Sequence, residues 1–398
     1  MNRGVPVLLF AQFLSAFADN AILFTAIAMV LDSPHAGWYV PVLQSAFLVA
    51  FVLLAPWVGP FADRLPKPVV LMIGNAFKAA GALLMLAHVE PIIAYALVGV
   101  GAAVYGPAKY GILPEMVGHG ELVRANGLIE GSTIVAIILG TVVGAKAADS
   151  SIPTALALVL SCYALSLGAV LLLPKIAPQH AHDRPGLGRF TDMMRALFQA
   201  DRARFAMLGT SLFWAAAAVL RLLLVAWAPA VLLTHHATEV AELTLFLAIG
   251  IVIGALLVPR LIPIERLRRA RLAAYLLGVG ILAFSQVHSL WPARAVLVAI
   301  GVSGGLFMVP VNAALQEIGH RSIGSGGAVA LQNFFENLAM LAAVSLYAGA
   351  ARLGAAPVPS IAAVGVFVLV AAFLVSWHLP PDSARTAVVD AAPAEEEA

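Results

Sequence analysis

The chain has 398 residues, 62% of them hydrophobic and only 11% charged, with a formal net charge of +2 and a mean hydropathy of +0.96. Soluble globular domains carry roughly 25% charged residues, so that class is excluded. The apolar runs are long and continuous, which excludes a β-barrel with its short alternating strands and leaves a polytopic helical membrane protein.

A spanning helix needs about 20 apolar residues, and twelve spans are predicted: 5–31, 38–62, 68–89, 91–114, 123–147, 153–174, 203–233, 238–260, 270–288, 291–316, 324–350 and 357–379. The first opens with Arg3 and an apolar stretch that imitates a cleavable signal peptide. Apolar residues resume from Ala21 to Leu31, so the whole segment is expected to span. It carries Asp19 and its neighbour Asn20 near its middle. An ionised side chain there costs about 2.5–3.5 kcal/mol on insertion scales, so Asp19 marks a polar path or a charged ligand.

The loop after the second span reads Gly59-Pro60-Phe61-Ala62-Asp63-Arg64-Leu65-Pro66-Lys67. A stop-transfer loop accounts for Arg64 and Lys67 but has no need of Asp63, an anion suited to a helix N-terminus. Lys78 in the third span lies about two turns from its start and is expected to snorkel to the headgroup layer. Lys109, in Tyr105-Gly106-Pro107-Ala108-Lys109-Tyr110-Gly111, is read as a second buried charge. Gly106 and Pro107 beside it loosen the helix, which is tolerable only where protein or a cavity surrounds the backbone. The fifth span brings Glu130, a gate candidate, and Gly140 and Gly144, a GxxxG pair expected to let helices slide and open a cleft sideways between them. Cys162 in the sixth span is read as a small core residue. Residues 175–202, a long polar stretch with Pro178, Pro185, Gly186 and Gly188, form a flexible linker near the midpoint of the chain. The pair His180 and His182 lacks companions for a metal site, and neither metal nor cofactor is expected.

Arg221 stands inside the seventh span. Gly301-Val302-Ser303-Gly304-Gly305 in the tenth lacks the strand-to-helix setting and histidine of a nucleophile loop, so an enzyme is not expected. In the eleventh span Asn333, Glu336 and Asn337 share one helical face. Residues 380–398 end in three glutamates and are read as a disordered acidic tail.

With the N-terminus inside, 17 of the 23 Lys and Arg residues fall in inside segments, 3 in outside loops and 3 in spans. That bias places both termini in the cytoplasm. The halves also align on each other. At an offset of 202, Asp63 falls on Glu265, Gly99 on Gly301, Glu115 on Glu317 and Asp19 on Arg221; at 206, Glu130 falls on Glu336. A parallel repeat about an axis along the membrane normal is the arrangement of the major facilitator halves. The domains are therefore read as a six-helix bundle over 1–174, the linker 175–202, a second bundle over 203–379 and the tail 380–398. Asp19 and Arg221, on equivalent spans, are expected to face each other and pair.

The chain also resembles a particular family. The string Ala11-Gln12-Phe13-Leu14-Ser15-Ala16-Phe17-Ala18-Asp19-Asn20 resembles the first span of the bacterial lysophospholipid transporter family within the major facilitator superfamily. So do Pro107-Ala108-Lys109-Tyr110-Gly111, Ala125-Asn126-Gly127-Leu128 and Gln332-Asn333-Phe334 with Glu336-Asn337. The loop carrying Asp63 resembles the superfamily's signature, with Pro68 where a second basic residue is usual. The resemblance implies twelve transmembrane helices in two pseudo-symmetric bundles and alternating access in the bacterial inner membrane. It also implies transport of lysophosphatidylethanolamine and lysophosphatidylglycerol, reacylated on the cytoplasmic side by a separate acyltransferase. Substrate-binding roles are expected for Asp19, Asn20, Lys109, Arg221, Asn333 and Glu336, and gating roles for Gly59, Asp63, Arg64, Lys67 and Glu130. A monomer among membrane lipids is expected, with no nucleic-acid partner. The runner-up is a proton-coupled exporter of other amphipathic compounds.

Overall fold

The computed structural model describes residues 4–31, 36–174, 186–233 and 237–377. Arg3, the His180 and His182 pair, the first part of the linker and the acidic tail lie outside them. Among the described residues every regular element is a helix: α1 (Gly4–Leu31), α2 (Ala36–Arg64), α3 (Lys67–Leu86), α4 (Pro91–Gly111), α5 (Leu113–Met116), α6 (His119–Ser150), α7 (Ile152–Val170), α8 (Leu187–Gln199), α9 (Asp201–Leu232), α10 (Ala237–Leu261), α11 (Ala270–Phe284), α12 (Leu290–Ser322), α13 (Ser325–Arg352) and α14 (Pro357–Ser376). In hydrocarbon each backbone N–H and C=O must be satisfied within its own segment, which is why the apolar runs are helical. Eleven of these helices are long and apolar enough to cross a membrane. The one remaining predicted span, the ninth, 270–288, is the 15-residue α11, preceded by the 3-10 turn Ile264–Arg269. Proline in the first turn starts α3, α4, α7 and α14, where its missing N–H costs nothing.

The repeat seen in the sequence is repeated in the packing. In the first half α1 packs on α6 and α7, α2 on α4, and α3 on α4 and α7; in the second, α9 packs on α13 and α14, α10 on α12, and α11 on α12 and α14. Gly99 and Gly301, matched in the alignment, play the same part. A Cβ on Gly99 would stand 2.9 Å from Phe47 Cα on α2, and one on Gly301 2.8 Å from Gly250 Cα on α10. The halves meet where α2 lies along α13 and α6 along α10.

The two ends of the bundle differ. One apolar core runs through the second half and, at the end that carries the α2–α3 loop, into the first, joining Val58, Ala62 and Ile112 to Ala328 and Leu331. Toward the other end the first half has a core of its own, around Ile22, Leu43, Met85 and Tyr163, with no residue from the second half. Close approaches between halves cluster at the loop end too: a Cβ on Gly59 would lie 2.8 Å from Gly327 Cα, and one on Gly127 2.7 Å from the Ala255 carbonyl. The halves are thus clamped at the loop end, and away from it the first half packs on a core of its own.

Two sequence readings change here. Gly140 and Gly144 open no lateral gap; they seat α6 directly on α1, where a Cβ on Gly144 would collide with Ala21. Gly144→Val is expected to cost about 1–3 kcal/mol through overpacking, seen as a lower melting temperature in detergent. Within the linker, 187–199 is an amphipathic helix. Phe190, Met193 and Leu197 are buried, and α8 touches α2, α9 and α13. Phe190 meets Phe334 edge-on at 5.3 Å, and Phe198 meets Phe335 likewise, so the linker helix lies across the junction of the halves.

Candidate functional site

The clamp is built on Asp63. Its carboxylate accepts the Gly326 N–H on Oδ1 and the Gly327 N–H on Oδ2, each at 2.8 Å. These are orphan donors in the first turn of α13, where an anion is stabilised by up to ~2 kcal/mol in favourable buried geometry. Lys67 Nζ sits 2.5 Å from Asp63 Oδ1 and also donates to the Ala62 carbonyl. Both side chains are almost fully buried. Gly324, with φ at +96°, brings the backbone so near that a side chain there would collide with the carboxylate. Gly59 lies against Gly327, and Arg64 is half-buried at the end of α2. The side chain of Glu265, the repeat mate of Asp63, lies outside the described set.

A second crossing lies deeper. Tyr110 on α4 donates to Glu130 Oε1 at 2.7 Å, and Asn312 Nδ2 on α12 donates to the same oxygen at 3.1 Å. Gln332 Nε2 on α13 donates to Asn312 Oδ1 and to Glu336 Oε1, both at 2.6 Å. Glu130 and Glu336, repeat mates in sequence, are thereby joined through two amides across the interface. Both are nearly buried, and buried carboxylates need such donors. Asn126 and Gln316 exchange amide hydrogen bonds beside them, at 2.7 and 2.9 Å. Sequence reading passed over Asn312 and Gln316. Asn333 lies against Gly106 of α4, and its carbonyl accepts from Asn337.

The largest correction concerns Asp19. Its partner is Lys78, with Nζ 2.7 Å from Oδ2, while Tyr163 OH donates to Oδ1 at 2.8 Å. Lys78 does not snorkel. It is 2% exposed, bonds Ser15 Oγ at 2.9 Å and lies 4.4 Å from the centre of the Tyr105 ring. Ser15, Asn75 and Ser166 extend the network to the Ala11 carbonyl. Depth along α3 misled the reading, because the face decides: Gly74, Asn75, Lys78 and Gly81 form a buried small and polar stripe. Asn20 turns to its own helix, donating to the Ala16 carbonyl at 2.8 Å.

Lys109 lies over the Tyr110 ring at 4.2 Å and makes no ion pair among the described residues. Arg221 is exposed and likewise makes none. It shares an exposed stretch of α9 with Leu222 and Val225. Asp19 is thus a carboxylate already neutralised by Lys78, and Lys109 and Arg221 are two cations with no ion-pair partner among the described residues. Because Asp19 pairs with Lys78, the exchange Asp19→Lys with Lys78→Asp is expected to restore most of the stability that either single change loses. Breaking a buried pair costs about 3–5 kcal/mol. Asp19→Arg with Arg221→Asp is expected to restore none, by thermal unfolding in detergent.

The Major Facilitator Superfamily profile matches residues 8–344. The chain is 44% identical over 361 residues to the lysophospholipid transporter LplT of Cronobacter sakazakii, covering 88% of this chain and 90% of that protein. It is 43% identical over 359 residues to the LplT of Yersinia enterocolitica, covering 89% of each. In structure it is similar to the human organic anion transporter MFSD10, with a TM-score of 0.75 at 16% identity, over 95% of this chain and 99% of that one. It is also similar to FucP in the outward conformation, with a TM-score of 0.69 at 15% identity, over 94% and 98%. Paired with the clamped two-bundle fold, the extent and level of these matches settle the kinship: the chain belongs to the lysophospholipid transporter family of the major facilitator superfamily.

Proposed function

We propose that the chain carries lysophospholipids such as lysophosphatidylethanolamine and lysophosphatidylglycerol across the bacterial inner membrane by alternating access. The observation that carries this reading is the identity of 43–44% to proteins named lysophospholipid transporter. The disposition of charge supports it. A lysophospholipid head bears a phosphate and, in some, an ammonium. Arg221 and Lys109 are cations available to a phosphate, and Asp19 keeps acceptor capacity for an ammonium or a hydroxyl. The bundles 1–174 and 203–379 would rock about this site, with 175–202 as the connection and 380–398 as a tail outside both. The positive-charge bias argues for both termini in the cytoplasm. On that orientation the clamped end is cytoplasmic, and the state described receives substrate from the outer leaflet. The protein would work as a monomer, and a separate acyltransferase would restore the missing chain on the cytoplasmic side.

The test is reconstitution in vesicles with labelled lysophospholipids of both head groups, with and without a proton gradient. Movement faster than in protein-free vesicles is expected. No acceleration for either lipid would sink the reading. Movement of a different amphipath that stops when the gradient collapses would replace it with the exporter.

A further inference from the structure

We propose that Lys78 sets the head-group range of the carrier: by neutralising Asp19 from behind, it lets one site accept both zwitterionic and purely anionic heads. This inference rests on the lysophospholipid reading above.

The geometry separates the two partners of the pair. Lys78 is sealed, with 2% exposure. Its Nζ is held by Asp19 Oδ2, Ser15 Oγ and the Tyr105 ring. Its stem is packed so tightly against α4 that a Cβ on Gly101 would come within 2.7 Å of Lys78 Cγ. It contributes charge to the site and cannot itself reach a ligand. Asp19 is different, with 19% of its side chain exposed. Each of its oxygens accepts one bond, from Lys78 or from Tyr163. A carboxylate has about four lone-pair positions, so acceptor capacity remains on the exposed side while the local net charge of the pair is zero.

That combination suits two chemistries. An ammonium donates to Asp19 directly. An anionic glycerol head donates its hydroxyls to the same oxygens, and the neutral pair does not repel its phosphate, which Lys109 and Arg221 are left free to meet. Were Lys78 uncharged, Asp19 would stand as a bare anion. It would then reward an ammonium and repel a head without one, since unmatched like charges are strongly disfavoured in a desolvated site. Lys78 is thus a positioning and specificity residue acting through Asp19.

The test compares the wild type, Lys78→Met, Asp19→Asn and the double variant, each reconstituted and each assayed for kcat/KM on lysophosphatidylethanolamine and lysophosphatidylglycerol. In Lys78→Met the glycerol lipid is expected to lose about tenfold more than the ethanolamine lipid. An equal loss for both heads in inserted, monodisperse protein assigns Lys78 a purely structural part and overturns the inference. Should Lys78→Met fail to fold, the neutral background decides. Adding Lys78→Met to Asp19→Asn is expected to leave the ratio of the two lipids within about threefold, because no anion remains to neutralise. A tenfold change in that background overturns the inference. If the wild type moves neither lipid, the functional reading fails and this one with it; if it moves both and the ratios disobey, only this one fails.

Discussion

Asp63→Ala is expected to release the loop end and to cut lysophospholipid transport at least about tenfold. The substitution removes both acceptors from the Gly326 and Gly327 N–H groups and leaves Lys67, 3% exposed, without its carboxylate. Truncating one partner of a buried pair costs about 3–5 kcal/mol. Spent on a clamp between two bodies, that loss moves the closed-to-open ratio by about a hundredfold or more. The readout is a cysteine at Ala330, a buried α13 residue that packs against Gly59, in a Cys162→Ala background. A membrane-impermeant thiol reagent supplied from the α2–α3 loop side is expected to label it slowly in the parent and at least about tenfold faster with Asp63→Ala. Asp63→Asn keeps one acceptor and turns an NH2 toward a backbone N–H, so it should fall nearer to alanine than to the parent. Unchanged labelling with unchanged transport would show that the apolar core shared by the halves holds the end shut without Asp63.

How far these features could be read from sequence depends on what fixes them. Spans follow from composition over a window, so eleven of the twelve were legible as membrane-length helices; the predicted 270–288 folds as the 15-residue α11, its start set by the arginines of 266–271. Asp63 was legible because its loop has no other use for an anion. Glu130 and Glu336 were legible as repeat mates, although their junction through Asn312 and Gln332 was not. The partner of Asp19 was misread. Helix order places α1 and α9 at equivalent positions, but pairing is decided by which faces pack, and within the first half α3 supplies a cation closer than α9 does. The signal was present in Gly74, Asn75, Lys78 and Gly81, a small and polar stripe that a lipid-facing helix has no reason to carry. Helix α8 was hidden by its neighbours. Pro178, Pro185, Gly186 and Gly188 break up the stretch before it, while Phe190, Met193 and Leu197 keep helical spacing behind them.

Arg221 carries the other large expectation. It is a charged residue with no visible return inside the protein: it lies within a membrane-length helix, is exposed, and makes no hydrogen bond or ion pair among the described residues. A structural arginine at such a depth would be paired. A residue kept for a ligand has reason to stay unpaired, because its planar fork matches phosphate bidentately. Arg221→Ala is therefore expected to leave the melting temperature within a few degrees of the parent, since no internal bond is broken, while lowering kcat/KM for lysophospholipid by about ten- to a hundredfold, the worth of a charge-assisted pair of roughly 1.5–3 kcal/mol. Arg221→Lys keeps the charge and loses the fork, and should fall between the two. The contrast with Asp19 is the decisive part. Asp19→Ala breaks internal bonds to Lys78 and Tyr163 and should lower stability and transport together, whereas Arg221→Ala should separate them. If Arg221→Ala destabilises the protein as Asp19→Ala does, the guanidinium has a structural partner and is not held in reserve for a phosphate. If it changes neither stability nor transport, the α9 face that bears it lies outside the substrate path, and the head group must be met by Lys109 and the first half alone.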